Sequence, residues 1–185
     1  MEINFSQFAE DRYFICDDFL APQEVEIINK EVDQLFNSEK FKRAGIGTNK
    51  KPADDVRHDL IFWVEPQIII SKLDLIKKQM NEHLMLGLWD FEGHFAIYPS
   101  GAYYTRHVDQ FKNENSRVLS VVLYLNQQWS KEDGGQLVLY SAGEKISVEP
   151  RGGRLVCFLS ENFPHEVLPA KKERRSFTGW FKRRT

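Results

Sequence analysis

His107-Val108-Asp109 carries the densest chemical signal in the sequence, with His165 and then Arg175 further along. Side chains alternate faces along an extended strand, so residues 107 and 109 project the same way. A third ligand from a distant strand would complete two imidazoles and one carboxylate on one face of a metal. That set leaves coordination positions open and suits non-heme Fe(II) activating O2. A guanidinium ten residues beyond His165 could hold the far carboxylate of a metal-chelating diacid, because its planar fork stays charged and pairs bidentately with such a group. The pattern points to an oxygenase rather than a binding module.

A lone His-x-Asp is weak evidence, and its surroundings give it weight. Ile97-Tyr98-Pro99-Ser100-Gly101 reads as a strand entering a turn, and Tyr103 to Asp109 as the strand that carries the ligands. Val121 to Asn126, Gly134-Gly135-Gln136-Leu137, Pro164-His165-Glu166-Val167 and Arg174 to Phe181 follow in that order. In order and spacing these segments resemble the 2-oxoglutarate- and iron-dependent prolyl hydroxylases over about residues 57–183. They are most similar to bacterial members akin to the animal hypoxia-sensing enzymes.

The resemblance implies that His107, Asp109 and His165 are the catalytic iron ligands. It implies that Arg175 and Tyr124 hold the distal carboxylate of 2-oxoglutarate, with Thr178 in the same pocket wall. Tyr98 would turn its hydroxyl to the cosubstrate, and Leu137 would form an apolar wall. The implied cofactors are Fe(II), 2-oxoglutarate and O2, with ascorbate as reductant. The implied reaction hydroxylates a prolyl residue in a protein and releases succinate and CO2. Segment 86–183 is similar to bacterial enzymes acting on elongation factor Tu, which makes that protein a candidate substrate. Two alternatives stay open: the same chemistry on a small molecule or free amino acid, and a non-catalytic metal-binding sensor. Asp109 argues against the halide-binding branch, which leaves the carboxylate position empty.

Such ligands need a scaffold, and the strand pattern supplies one. From residue 90 onward the chain is nearly all short strands: 90–98, 103–108, 116–125, 135–140, 145–149, 154–159, 164–168 and 174–183, with Gly or Pro turns. That spacing argues a sandwich or barrel. The order of the ligands makes it a double-stranded β-helix, or jelly roll, which brings early and late strands to one mouth. Residues 1–89 read as support for it: a strand at Tyr13–Cys16, a helix after Pro22 and another after Pro66. The first helix carries Val25, Ile28, Val32, Leu35 and Phe36 on one stripe, the second Leu73, Ile76, Met80 and Leu84. The expected fold is mainly β with flanking helices, in one oxygenase domain over 1–185. A hairpin turning near Ala170 would set His165 opposite Arg175, about 5 Å apart, and point Arg174 the other way.

Composition bounds the rest. With 42% hydrophobic and 28% charged residues and a net charge of −2, the chain has no global drive toward nucleic acid or anionic membrane. Met1 to Phe5 lacks a signal-peptide pattern, and no apolar run approaches membrane-spanning length. Cys16 and Cys157 read as small apolar residues in a reducing compartment. A cytoplasmic monomer with no membrane or nucleic-acid partner is expected. The Gly- and Lys-rich stretch 41–52 reads as a loop that could close over the active site. His94 reads as a sheet histidine outside the motif, His58 and His83 as surface residues, and Asp59 and Arg117 as an ion pair supporting the mouth. The basic residues of the 171–185 tail read as solvated charge. Related sequences have Gly where His58 stands, which bears on the local loop conformation.

Overall fold

The computed structural model describes residues 3–46, 51–52, 55–110, 116–141 and 143–184. Three helices precede the main body of strands: α1 (Phe5–Asp11), α2 (Pro22–Asn37) and α3 (Gln67–Leu84). The strands are β1 (Tyr13–Cys16), β2 (Lys42–Arg43), β3 (Gly45–Ile46), β4 (Lys51–Pro52), β5 (Leu60–Trp63), β6 (Leu88–Tyr98) and β7 (Tyr104–His107). They continue with β8 (Arg117–Tyr124), β9 (Leu137–Ser141), β10 (Glu144–Val148), β11 (Leu155–Leu159), β12 (His165–Val167) and β13 (Arg174–Arg183). A seven-stranded sheet runs β1-β11-β8-β13-β6-β5-β2, and a four-stranded sheet runs β10-β9-β12-β7. The β arrangement is the jelly roll expected from the strand spacing together with the order of the ligands.

Local sequence explains the helices. Pro22 occupies the first turn of α2, where a missing N–H costs nothing, and Glu24 accepts from the Ala21 amide at 2.8 Å. Val25, Ile28 and Val32 are buried from α2, and Ile69, Leu73, Ile76 and Met80 from α3. Phe36, expected on the buried stripe, is 42% exposed at the end of its helix. α1 was not signalled by periodicity, since Phe8 is its single buried residue; its start is marked by Asn4, whose side chain accepts from the Gln7 amide at 3.1 Å. No described helix is long and apolar enough to cross a membrane.

The larger sheet has a packed layer on each side. Leu119, Val121 and Leu123 of β8 join Ile28, Leu73, Ile76 and Phe177 in the core between that sheet and the helices. Val122 and Tyr124 point the other way, into the core shared with Leu137, Leu139 and Val167 of the smaller sheet. A strand covered on both faces reads as one apolar run, which is why 118–125 shows no alternation in the sequence. Gly179 of β13 pairs with Gly93 of β6. A Cβ at 179 would lie 2.6 Å from the Glu92 carbonyl oxygen, so only glycine fits that crossing.

Two expectations fail here. The stretch 41–52 is not one loop: β2 pairs with β5, and β3 pairs with β4 as a small hairpin. The tip of that hairpin, 47–50, lies outside the described residues. β12 and β13 do not form a hairpin near Ala170 either. β12 pairs with β7 and β9 in the smaller sheet, while β13 pairs with β6 and β8 in the larger one. The intervening chain crosses between sheets, so the two strands face each other across the sandwich and not along one ladder.

Candidate metal and cosubstrate site

β7 and β12 are neighbours in the smaller sheet, with His107 and His165 directly paired. Asp109 follows β7 in the turn beyond it. Nitrogens of the two imidazoles and a carboxylate oxygen lie within 4.8 Å of one another, a set able to hold a metal ion. Each imidazole Nε2 is 3.6 Å from an Asp109 oxygen, His107 from Oδ1 and His165 from Oδ2. His107 Nδ1 lies 2.8 Å from the Thr105 carbonyl and His165 Nδ1 2.9 Å from the Phe163 carbonyl. A carbonyl can only accept, so both rings carry a proton on Nδ1, which leaves Nε2 as the atom each ring can offer a metal. Fixing the tautomer through the other ring nitrogen is how metal-ligating histidines are held.

Asp109 is braced from the opposite sheet. Ser120 of β8 donates to its Oδ2 at 2.7 Å, and Ser160 shares a hydrogen bond of 2.9 Å with Ser120. Burial pushes the Asp109 carboxyl up, but the charges of His165 and His107 and the Ser120 hydroxyl outweigh it and hold the group well below the usual carboxylate range. It stands as an anion among two imidazoles. Burial also lowers the His165 pKa, more than Asp109 raises it. Both tendencies favour the ligating forms, an ionised carboxylate and a neutral imidazole.

The three residues open into a cavity of about 540 Å³ lined also by Tyr98, Tyr104, Leu137, Arg174, Thr178 and Trp180. A volume of that size suits a small ligand. Tyr98, Leu137 and Thr178, expected around a cosubstrate, all line this cavity. Tyr124, expected in the same site, is fully buried and does not line the cavity; the Arg174 side chain is its charged neighbour.

Arg175 is not in this cavity. It reaches the outer side of the larger sheet, where its guanidinium pairs with Asp33 of α2 and Glu173, each at 2.7 Å. Its neighbour Arg174 faces inward, is 1% exposed, and lines the cavity. The Arg174 guanidinium carbon is 4.9 Å from the Tyr98 ring centre and 5.1 Å from the Tyr124 ring centre. Its Nε donates to the Gly135 carbonyl at 3.0 Å and a terminal nitrogen to Ser176 at 3.3 Å. The reason for the reversal is the sheet crossing: β13 aligns Arg174 with Tyr98 of β6, so Arg174 shares the inward face with Tyr98 and Arg175 goes outward with Ile97. The tail is therefore not a solvated basic segment at this point but a central strand.

Asp59 does not pair with Arg117. It takes both hydrogen bonds from Arg57, at 2.7 Å from Nε and 2.5 Å from a terminal nitrogen. Arg117 pairs with Glu92 at 2.8 Å and lies over the Trp180 ring at 3.6 Å. His94 lines the cavity but is no part of the metal cluster, and burial takes its pKa down to about 3. It is a neutral wall residue between Trp63 and Trp180. Arg174, expected to point away, and His94, expected as a sheet histidine outside the motif, both line the cavity, and so does Arg57, for which the visible signal was an Arg-x-Asp pair two residues apart.

A buried Arg174 guanidinium near the buried Tyr124 suits a carboxylate, and three convergent ligands suit a divalent metal. The chain's likenesses agree with that donor set. A sequence model of the 2OG-Fe(II) oxygenase superfamily matches residues 93–182. A solved prolyl-4-hydroxylase of Pseudomonas putida is 38% identical, covers 97% of both chains and superposes with a TM-score of 0.88. A prolyl hydroxylase of Trichoplax adhaerens, solved with a hypoxia inducible factor oxygen degradation domain peptide fragment, is 26% identical with a TM-score of 0.89 over 96% of this chain and 86% of that one. A hypoxia-inducible factor prolyl hydroxylase of Caenorhabditis elegans is 27% identical over 191 residues, 90% of this chain. The chain spans about a quarter of that relative's length, 26%.

Proposed function

Because this chain belongs to the 2OG-Fe(II) oxygenase superfamily, and within it to the prolyl hydroxylases, we propose that it hydroxylates a prolyl residue in a protein. The observation that carries the reading is the convergence of His107, Asp109 and His165 on a cavity that buried Arg174 also lines, its guanidinium carbon 5.1 Å from the Tyr124 ring centre. The family's cofactors are Fe(II), 2-oxoglutarate and O2, which together supply oxidative decarboxylation and insertion of oxygen into a C–H bond. His107, Asp109 and His165 are the residues to hold the iron. Arg174, with Tyr124, binds the distal carboxylate, taking the role that Arg175 was expected to fill.

The remaining residues position and exclude. Leu137 and Val122 line the cavity with apolar surface and keep water off the reacting atoms. Ser120 holds the Asp109 carboxylate in one orientation, so the ligand does not swing when substrate arrives. Burial raises the Tyr124 pKa to about 12, although Arg174 pulls it down, so the hydroxyl keeps its proton and can donate it to a carboxylate. Tyr98 stays protonated for the same reason.

The substrate protein within this reading is elongation factor Tu, carried by the similarity of segment 86–183 to bacterial enzymes that act on it. Ascorbate serves as reductant, and the chain works as a cytoplasmic monomer forming one oxygenase domain over 1–185. Gly45 of β3 lines the cavity, which supports the reading of this stretch as a cover over a bound polypeptide. The test is to incubate the iron-loaded protein with 2-oxoglutarate and either purified elongation factor Tu or whole bacterial extract, then map peptides by mass spectrometry. One oxygen atom gained on a proline is expected. Efficient hydroxylation of a free metabolite, with every prolyl peptide ignored, would show that the family likeness misidentifies the substrate.

A further inference from the structure

The two histidines of the cluster are held differently. His165 is 5% exposed, lies in a central strand of the smaller sheet, and its ring meets the Phe158 ring at 4.9 Å. His107 sits on β7, the edge strand of that sheet, at the cavity mouth, with 19% of its side chain exposed. Its hydrogen bond to the Thr105 carbonyl restrains the ring through one nitrogen.

A second restraint is present. The Tyr104 ring stacks on the His107 imidazole, centres 3.6 Å apart and planes at 14°. The Arg57 guanidinium carbon lies 4.3 Å from the Tyr104 ring centre, and with the imidazole against one face it occupies the other. Asp59, 2% exposed, grips that guanidinium through both oxygens. The backbone joins in: Arg57 bridges to Tyr104, Thr105 donates to the Val56 carbonyl at 2.8 Å, and His58 to the Tyr103 carbonyl at 3.1 Å. Segment 56–58 thus covers the free edge of the strand that carries the ligand.

We propose that Tyr104 and Arg57 are positioning residues for the metal: the Arg57–Tyr104–His107 stack fixes the plane of the ligating imidazole and ties metal affinity to the docking of segment 56–58. Neither side chain touches the metal. The guanidinium attracts the electron-rich ring face, the ring presses on the imidazole, and the imidazole is left with one orientation. This inference rests on the reading of His107 as a metal ligand.

Metal-free protein is titrated with Mn(II) by calorimetry, and Co(II) is added separately to read the visible spectrum that reports ligand geometry. Tyr104→Leu removes the ring and is expected to weaken Mn(II) binding about tenfold or more, the scale for losing a partner that orients a ligand. Tyr104→Phe keeps the stack and is expected to stay within about threefold on the same scale. Arg57→Lys keeps a charge for Asp59 but not the planar stack, and is expected to weaken binding between those limits and shift the Co(II) spectrum. Circular dichroism of each variant establishes that it is folded; if Tyr104→Leu does not fold, Arg57→Lys against Tyr104→Phe decides the matter. Native Mn(II) affinity in both Tyr104→Leu and Arg57→Lys, with His107→Ala unable to bind, overturns the inference. So does a Tyr104→Phe variant as weak as Tyr104→Leu, which would assign the effect to the hydroxyl. Native affinity in His107→Ala would overturn the ligand reading instead.

Discussion

Arg174→Ala is expected to weaken 2-oxoglutarate binding by at least ~2 kcal/mol, about thirtyfold, the scale for stripping a buried charged group of its partner. Arg174 is 1% exposed, at the cavity wall, with the buried Tyr124 as its neighbour. In water-poor surroundings a guanidinium–carboxylate pair is strong and no solvent replaces it. Arg175→Ala is expected to leave cosubstrate binding within about twofold, because that side chain tethers β13 to Asp33 of α2 on the far side of the sheet. Its loss costs stability of about 1 kcal/mol or less, as for a partly exposed ion pair. Titration of each metal-loaded variant with 2-oxoglutarate under anaerobic conditions measures both. Equal losses from the two changes would mean that β13 is read one residue out of register.

Asp109→Ala and His165→Ala are expected to abolish succinate formation and to weaken metal binding by more than about 100-fold, beyond the loss caused by removing an outer-shell partner. Asp109 contributes the only negative charge among the three ligands, and Ser120 and the two imidazoles are arranged around its two oxygens. Without it, two neutral imidazoles face a divalent cation with no charge neutralisation. Folding should survive, since both residues lie outside the two main apolar cores, so circular dichroism should match the native protein. Succinate release at native rates from either variant would remove these residues from the metal site.

What the sequence made legible was local. His107 ends β7 and Asp109 lies in the turn just past it, so the closeness of the pair was legible from their spacing, although strand alternation holds only up to His107. The strands from β7 to β13 fall within a few residues of the segments expected from turn spacing, because Gly and Pro mark their ends. The choice between Arg174 and Arg175 was not local. It depended on the sheet that β13 joins, and a hairpin with β12 assigned the wrong face to both. One residue of register reverses every side chain. The ion pairs at the mouth failed for a related reason: Asp59 had Arg57 two residues away and Arg117 across the fold, and only the strand packing shows that the near partner lies on its side of the sheet. β5 went unmarked because its four residues, Leu60–Trp63, gain their pairing from β6 and β2 rather than from any pattern of their own.

Arg174 has a further consequence, for how long the molecule lasts in a cell. Among the described residues its partners are neutral: a carbonyl, a serine hydroxyl and two tyrosine rings. Folding must therefore bury a cation without a counter-ion, at a cost that an arriving dicarboxylate removes. Such a ligand binds the native chain and not the unfolded one, adding about 2.7 kcal/mol at a hundred times its dissociation constant. A dicarboxylate that binds beside Arg174 is therefore expected to raise the unfolding temperature and slow proteolysis of the chain in proportion to its concentration.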